Sequence, residues 1–161
     1  MITQSELKKI LHYDPKTGSW TWLVSRGCVK VGTKAGVMSK GWYRIIRIDK
    51  ENYGAHRLAF LYMTGKLPTL EVDHINGVVG DNRYENLRLA THQQNTSNQR
   101  QHKNKKGLKG TWLTEYGKRW GARIAPNGKA IHLGYFDTEI DAHRAYCAAA
   151  KKYHGEFARA S

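Results

Sequence analysis

The order of strand-forming and turn-forming residues between Glu71 and Asn98 leaves this chain little choice of local fold. E-V-D-H-I and L-R-L-A-T are short runs of strand-forming residues, and the loop between them is rich in Gly, Asp and Asn. T-H-Q-Q follows at Thr91 as a capping box: the Thr hydroxyl accepts from the amide three residues on, and Gln94 reaches back. The order is therefore strand, loop, strand, helix. Asp73 and His74 stand in the first strand, Asn86 before the second, and Asn95 in the second turn of the helix.

A carboxylate, an imidazole and two amides are the parts that hold one hard cation and activate one water beside a phosphate. Magnesium takes oxygen ligands, keeps several waters, and binds through one or two protein groups plus phosphate oxygens. Asp73 and Asn95 supply two such groups if the second strand and its helix fold back over the first. His74 is the natural general base, because imidazole titrates near neutral pH. Asn86 is placed to orient that imidazole through its ring N–H. Neighbouring residues on a regular strand face opposite sides, so Asp73 and His74 cooperate only where the strand ends or twists.

Charge supplies the partner. Lys and Arg number 27 against 13 Asp and Glu, for a net charge of +14. A field of that sign attracts polyanions, and with no long apolar run and no basic amphipathic helix the expected partner is double-stranded DNA, not a membrane. Cys28 and Cys147 lie far apart without a C-x-x-C pair, so neither a disulfide framework nor a structural zinc is expected. M-I-T-Q-S-E-L-K-K-I has no apolar signal core. A reduced, cytoplasmic protein of a bacterial or phage-infected cell is expected, as a monomer or weak dimer.

Three segments emerge. Residues 1–98 open with a short amphipathic helix (Leu7, Ile10, Leu11) capped at Ser5, then Y-D-P-K-T-G-S-W-T-W, a turn at Asp14-Pro15 and Gly18 followed by strand-like alternation of Trp20 and Trp22. W-Y-R-I-I-R-I predicts a strand, and Ala55–Met63 an apolar helix stopped at Gly65. Residues 99–108 are a basic linker in which Lys103, Lys105 and Lys106 could track phosphates. Residues 109–161 predict three strands, around Gly110–Leu113, Arg119–Ala125 and Ala130–Leu133, with a Pro-Asn-Gly turn at 126–128. A helix capped by Asp137 or Thr138 and ended by Gly155 follows. The fold class is α+β, in two small domains.

The run D-H-x-N-G-x-x-x-D-N-R-x-x-N-L-R-x-x-T-x-x-x-N resembles the HNH endonucleases, in particular the phage and intron-borne homing type with a ββα-metal site. Y-D-P-x-T-G-x-W-x-W and His56-Arg57-Leu58-Ala59 are similar to small phage members as well, so the resemblance covers residues 1–98, with its core at 70–98. It implies that His74 is the general base, that Asp73 and Asn95 bind one divalent cation (Mg²⁺, with Mn²⁺ as the alternative), and that Asn86 supports His74. Asn95 stands where many members carry a second histidine. Arg57 is open between a phosphate contact and a structural ion pair.

Residues 107–159 resemble the APETALA2-type DNA-binding domain through Gly110, Trp120, Ala122, Ile124, Gly128, Leu133-Gly134, Phe136-Asp137-Thr138, Ala145-Tyr146 and Gly155. The resemblance implies a three-stranded sheet lying in the major groove with a helix behind it. This copy lacks the arginine-rich first strand, and Arg123 and His132 replace a glutamate and a tryptophan of plant members, so the plant target does not transfer. Trp112, Tyr116, Lys118, Arg119, Arg123, Lys129 and His132 are the expected DNA-facing residues, joined by Arg57 and the linker lysines. Trp120 reads as core. The chain is expected to be a metal-dependent DNA endonuclease of nicking or homing type. The alternative is a DNA-binding regulator with an inactive HNH fold, and a nuclease acting on RNA or damaged DNA is a third reading.

Overall fold

The computed structural model describes residues 2–39, 43–98, 107–114 and 118–158. Lys103, Lys105, Lys106 and Tyr116, and the linker up to 106, lie outside the described residues. Contacts divide the chain into two compact units, Met1–Thr91 and His92–Ser161. Sequence alone set the boundary later, after residue 98.

In the first unit, α1 (Gln4–Ile10) is capped by Thr3 and not by Ser5. Thr3 has a glutamate three residues on and Ser5 has a lysine. The Thr3 hydroxyl accepts from the Glu6 amide at 3.3 Å while the Glu6 carboxylate accepts from the Thr3 amide at 2.8 Å. The hairpin β1 (Leu11–Asp14) and β2 (Ser19–Trp22) pairs Tyr13 with Trp20, and both side chains are buried. Strands β3 (Val37–Met38), β4 (Arg44–Ile48) and β5 (Glu51–Gly54) form a second antiparallel sheet. The apolar helix α2 (Ala55–Thr64) ends at Gly65, as its sequence predicts. Its Leu58, Ala59 and Leu61 join Leu7, Leu11, Trp20, Ile46 and Ile48 in one core, which also takes in Val72 and Leu87 from β6 (Glu71–His74) and β7 (Leu87–Ala90). The β6–β7 pair therefore rests on a core built by the first 65 residues.

The second unit begins with α3 (His92–Asn98), which packs near the turn at Gly155–Phe157. Strands β8 (Thr111–Leu113), β9 (Trp120–Ile124) and β10 (Ile131–Phe136) form an antiparallel sheet with β9 in the centre. Helix α4 (Glu139–His154) packs on all three strands. Thr138 caps it, accepting from the Asp141 amide at 3.1 Å, whereas Asp137 faces Arg119. Ile124, Tyr146, Ala149 and Ala150 form its small core, and the alanines let the helix lie close to the sheet. Trp120 is half-buried.

Leu58 is fully buried at the centre of the first core. Leu58→Ala is expected to lower stability by about 2–5 kcal/mol through lost burial and the cavity left behind. Urea unfolding followed by tryptophan fluorescence checks this, since Trp20 and Trp22 share that core.

Candidate active site

Val72, Asp73 and His74 are consecutive and all buried. That is possible because β6 stops at His74: Asp73 pairs with Arg88 and His74 with Leu87, and the chain then turns, Gly77 N–H donating to the His74 carbonyl at 2.7 Å. The opposite-facing rule for strands is relieved at the strand end, where the chemistry requires it.

The His74 ring nitrogen Nε2 lies 3.1 Å from Asn82 Oδ1, with both side chains buried. An amide oxygen can only accept, so Nε2 carries the proton in this arrangement and Nδ1 is the basic nitrogen. Burial pushes the His74 pKa below its usual value, against the opposing pull of the Asn82 hydrogen bond and of Asp73 and Asp81. The imidazole is thus held neutral at neutral pH, the state in which it accepts a proton.

Asn86 does not support His74 directly, contrary to the sequence reading. Its Oδ1 accepts from the Asn76 amide at 3.0 Å, and its Nδ2 donates to Asn76 Oδ1 at 3.1 Å and to the Asp81 carbonyl at 2.8 Å. Both ends of the amide are occupied in closing the loop between β6 and β7. Arg83 braces the same loop by donating to both oxygens of Asp81, at 2.9 and 2.8 Å, and holds that carboxyl at about 2. Asn82, the actual partner, reads in the sequence only as a turn residue, and nothing local marks it otherwise.

Asp73 is 5% exposed, and its Oδ2 accepts from Arg88 Nε at 2.8 Å. A carboxylate offers about four lone-pair sites on its two oxygens. A carboxylate oxygen is the donor type that a hard dication keeping several waters prefers. Among the described residues no three His, Cys, Asp or Glu side chains cluster. Asn95 lies on α3, within the second unit.

Two aromatic neighbours complete the site. The His56 ring meets His74 edge-on at 5.5 Å between centroids, and Tyr43 lies 5.2 Å from His56 and 6.2 Å from His74. Burial, followed by the neighbouring His74 and Arg57, pushes His56 down to about 4. Arg57 is engaged by backbone carbonyls and not by an ion pair among the described residues. It donates to the Leu70 and Pro68 carbonyls, at 3.2 and 2.5 Å, and ties α2 to the segment before β6.

In the second unit, the sheet face away from α4 carries an aromatic group. His132 lies 5.7 Å and Tyr135 6.4 Å from the Trp112 ring, and the Arg123 guanidinium sits 5.6 Å above it. Gly121 permits this packing, since a Cβ there would lie 2.3 Å from the Trp112 ring. Lys118 and Lys129 are exposed. Arg119 is engaged within the unit, donating to the Tyr135 carbonyl at 3.1 Å and pairing with Asp137 at 3.5 Å. Tyr135 is a member of this face that the sequence reading did not include.

A half-buried neutral histidine gives a sign to acid stability. The unfolded chain binds a proton at His56 near pH 6.5 and the folded protein only near 4, so stability falls as pH drops through that window. Tyr43, His74 and Arg57 are the polar and titratable groups around it, and His74 acts with the same sign. The loss is expected to approach about 3 kcal/mol, and His56→Phe should flatten it. Denaturant unfolding between pH 4 and 7 measures both, and an unchanged slope in the variant would refute the assignment.

With the geometry in place, the relatives can be compared. Residues 53–97 match the family model described as HNH endonuclease. Over 105 residues the chain is 36% identical to an uncharacterized HNH endonuclease, L560, of Acanthamoeba polyphaga mimivirus. The match covers 64% of this chain and 54% of that protein, so the chain spans about half the length of that relative. A solved structure of the HNH homing endonuclease I-HmuI, concerned with DNA binding and cleavage, aligns over 90% of this chain and 85% of that one. The TM-score is 0.44 and the identity 20%. The residues matched by that family model take in Asp73, His74, Asn82 and Asn86.

Proposed function

We propose that the chain is a metal-dependent DNA endonuclease that hydrolyses one phosphodiester per active site, of the site-directed nicking or homing type. The observation that carries this reading is the buried, neutral His74 imidazole, fixed by Asn82 at 3.1 Å beside the Asp73 carboxylate, inside the segment that matches the HNH family.

His74 takes the proton of the attacking water as that water adds in line to phosphorus. Asn82 keeps Nε2 protonated and so leaves Nδ1 as the accepting atom. Asp73, oriented by Arg88, is the residue that would hold a divalent cation. The sequence resemblance assigns Asn95 as the second protein ligand. When bound, magnesium, or manganese in its place, neutralises charge on the scissile phosphate and leaving oxygen. Asn86 acts on the loop and not on the substrate.

The second unit is proposed as the targeting domain, similar to the APETALA2 type. Its exposed sheet face offers Trp112, Arg123 and His132, with Lys118 and Lys129 exposed on the same unit. A small hydrolytic site reads a phosphate and not a sequence, so specificity needs such a second surface. One active site per chain makes a nick by a monomer the expected product.

Supercoiled plasmid at low salt with Mg²⁺ tests the reading. Nicked circles should form, should vanish with EDTA, and should fall by about 10²–10⁴-fold in His74→Ala, the range of a general base. Arg123→Ala with Lys129→Ala should weaken DNA binding and reduce its salt dependence by about two counterions. DNA that binds but stays intact with both Mg²⁺ and Mn²⁺ would instead identify a DNA-binding regulator. Undiminished cleavage by His74→Ala would reject the proposed base.

A further inference from the structure

The segment Y-D-P-K-T-G, which the catalytic reading leaves unexplained, reaches the active site through Asn82. Tyr13 Oη donates to the Asn82 carbonyl at 2.6 Å, buried, across 69 residues of sequence. The Tyr84 amide donates to the Pro15 carbonyl at 3.0 Å. Gly18, at φ +70°, lies flat against the same backbone: a Cβ there would stand 2.5 Å from the Asn82 carbonyl carbon and 2.6 Å from the Arg83 nitrogen. The turn is itself rigid, since the Asp14 carboxylate accepts from the Lys16 amide at 2.9 Å and from the Thr17 hydroxyl at 2.7 Å.

We propose that this turn between β1 and β2 is a positioning element of the active site, in which Tyr13, Pro15 and Gly18 fix the backbone at residues 82–84 and thereby the Asn82 side chain that holds His74. The proposal rests on the reading of His74 as the general base.

Tyr84 of the 75–86 loop also meets Phe60 of α2, at 5.5 Å between ring centroids, while Asn76, Asp81, Arg83 and Asn86 hydrogen-bond to one another within the loop. They fix its internal shape. The turn fixes where residue 82 stands relative to the core, because Tyr13 and Trp20 of the same hairpin are 1% and 0% exposed there. Asn82 is itself 1% exposed, so its amide has no room to correct a displaced backbone by swinging. A shift at residue 82 therefore appears directly as a lengthened or misaligned bond to His74 Nε2. Tyr13, Pro15 and Gly18 touch no reacting atom in this scheme and are positioning residues.

The test compares Tyr13→Phe, Gly18→Ala, Asn82→Ala and the double variant Tyr13→Phe/Asn82→Ala. The readouts are plasmid nicking, DNA binding and the imidazole ¹⁵N signals of His74, with Leu11→Val as a control that loosens the same core. Tyr13→Phe is expected to lower kcat by up to about tenfold, the worth of one net hydrogen bond, with KM for DNA unchanged and the His74 ring signals displaced. Gly18→Ala should act in the same direction and more strongly. The double variant should be no slower than Asn82→Ala alone, because both substitutions break one chain of contacts. Leu11→Val should lower melting temperature while leaving kcat and the ring signals in place. A Tyr13→Phe protein with lowered melting temperature but wild-type kcat and ring signals would overturn the proposal, as would full multiplication of the two effects in the double variant. If the wild-type protein does not nick DNA, the nuclease reading fails on its own, and the ring signals of Tyr13→Phe still decide whether the turn sets His74.

Discussion

A histidine taken out of water must have its protonated nitrogen satisfied, or its burial is unfavourable by roughly 1–3 kcal/mol. His74 is 3% exposed, and Asn82 Oδ1 meets that need. The rest of the first unit can be understood as what this bond requires. Asn82 lies outside any helix or strand, so its position must be imposed from elsewhere. Asn86 and the Asp81–Arg83 pair shape the loop, and the β1–β2 turn sets its depth. The β6–β7 register supplies the other side. A slip of one residue would reverse the faces of Asp73 and His74 and separate the imidazole from Asn82.

Electrostatics around the imidazole follow the same logic. A chain of net charge +14 could easily place a cation beside its own base and suppress proton uptake. His56 and Tyr43 lie beside His74, and burial pushes His56 down to about 4. Arg57, the adjacent cation, donates to the carbonyls of Pro68 and Leu70. The other nearby guanidinium, Arg88, is matched by Asp73. Both guanidiniums are thus held by protein acceptors.

Elements with strong period and clear ends were legible in the sequence. The helix Ala55–Thr64 stops at Gly65, α4 starts at Thr138, and the β6-loop-β7 order follows the alternation of strand and turn residues. Asp73 and His74 were legible as neighbours on one short strand, where the structure buries both. Asn82 was not. Asp-Asn is a turn signal wherever it occurs, and its role arises only when Tyr13 and Gly18, more than sixty residues earlier, pack on its backbone. Asn86 was misassigned for a related reason. An asparagine near a histidine in sequence invites a direct bond, while the loop needs that amide to hold Asn76 and Asp81. The start of α1 turned on one residue, since only Thr3 has the glutamate that completes a capping box.

The second unit obeys a different economy of side chains. Its core is small, chiefly alanines and Tyr146 beneath three short strands, so large side chains remain for the opposite face. Trp112 lies flat over Gly121, and Arg123 is stacked above it with His132 and Tyr135 alongside. A guanidinium held over a ring has already lost part of its rotamer freedom, so an incoming partner restrains it at smaller entropic cost.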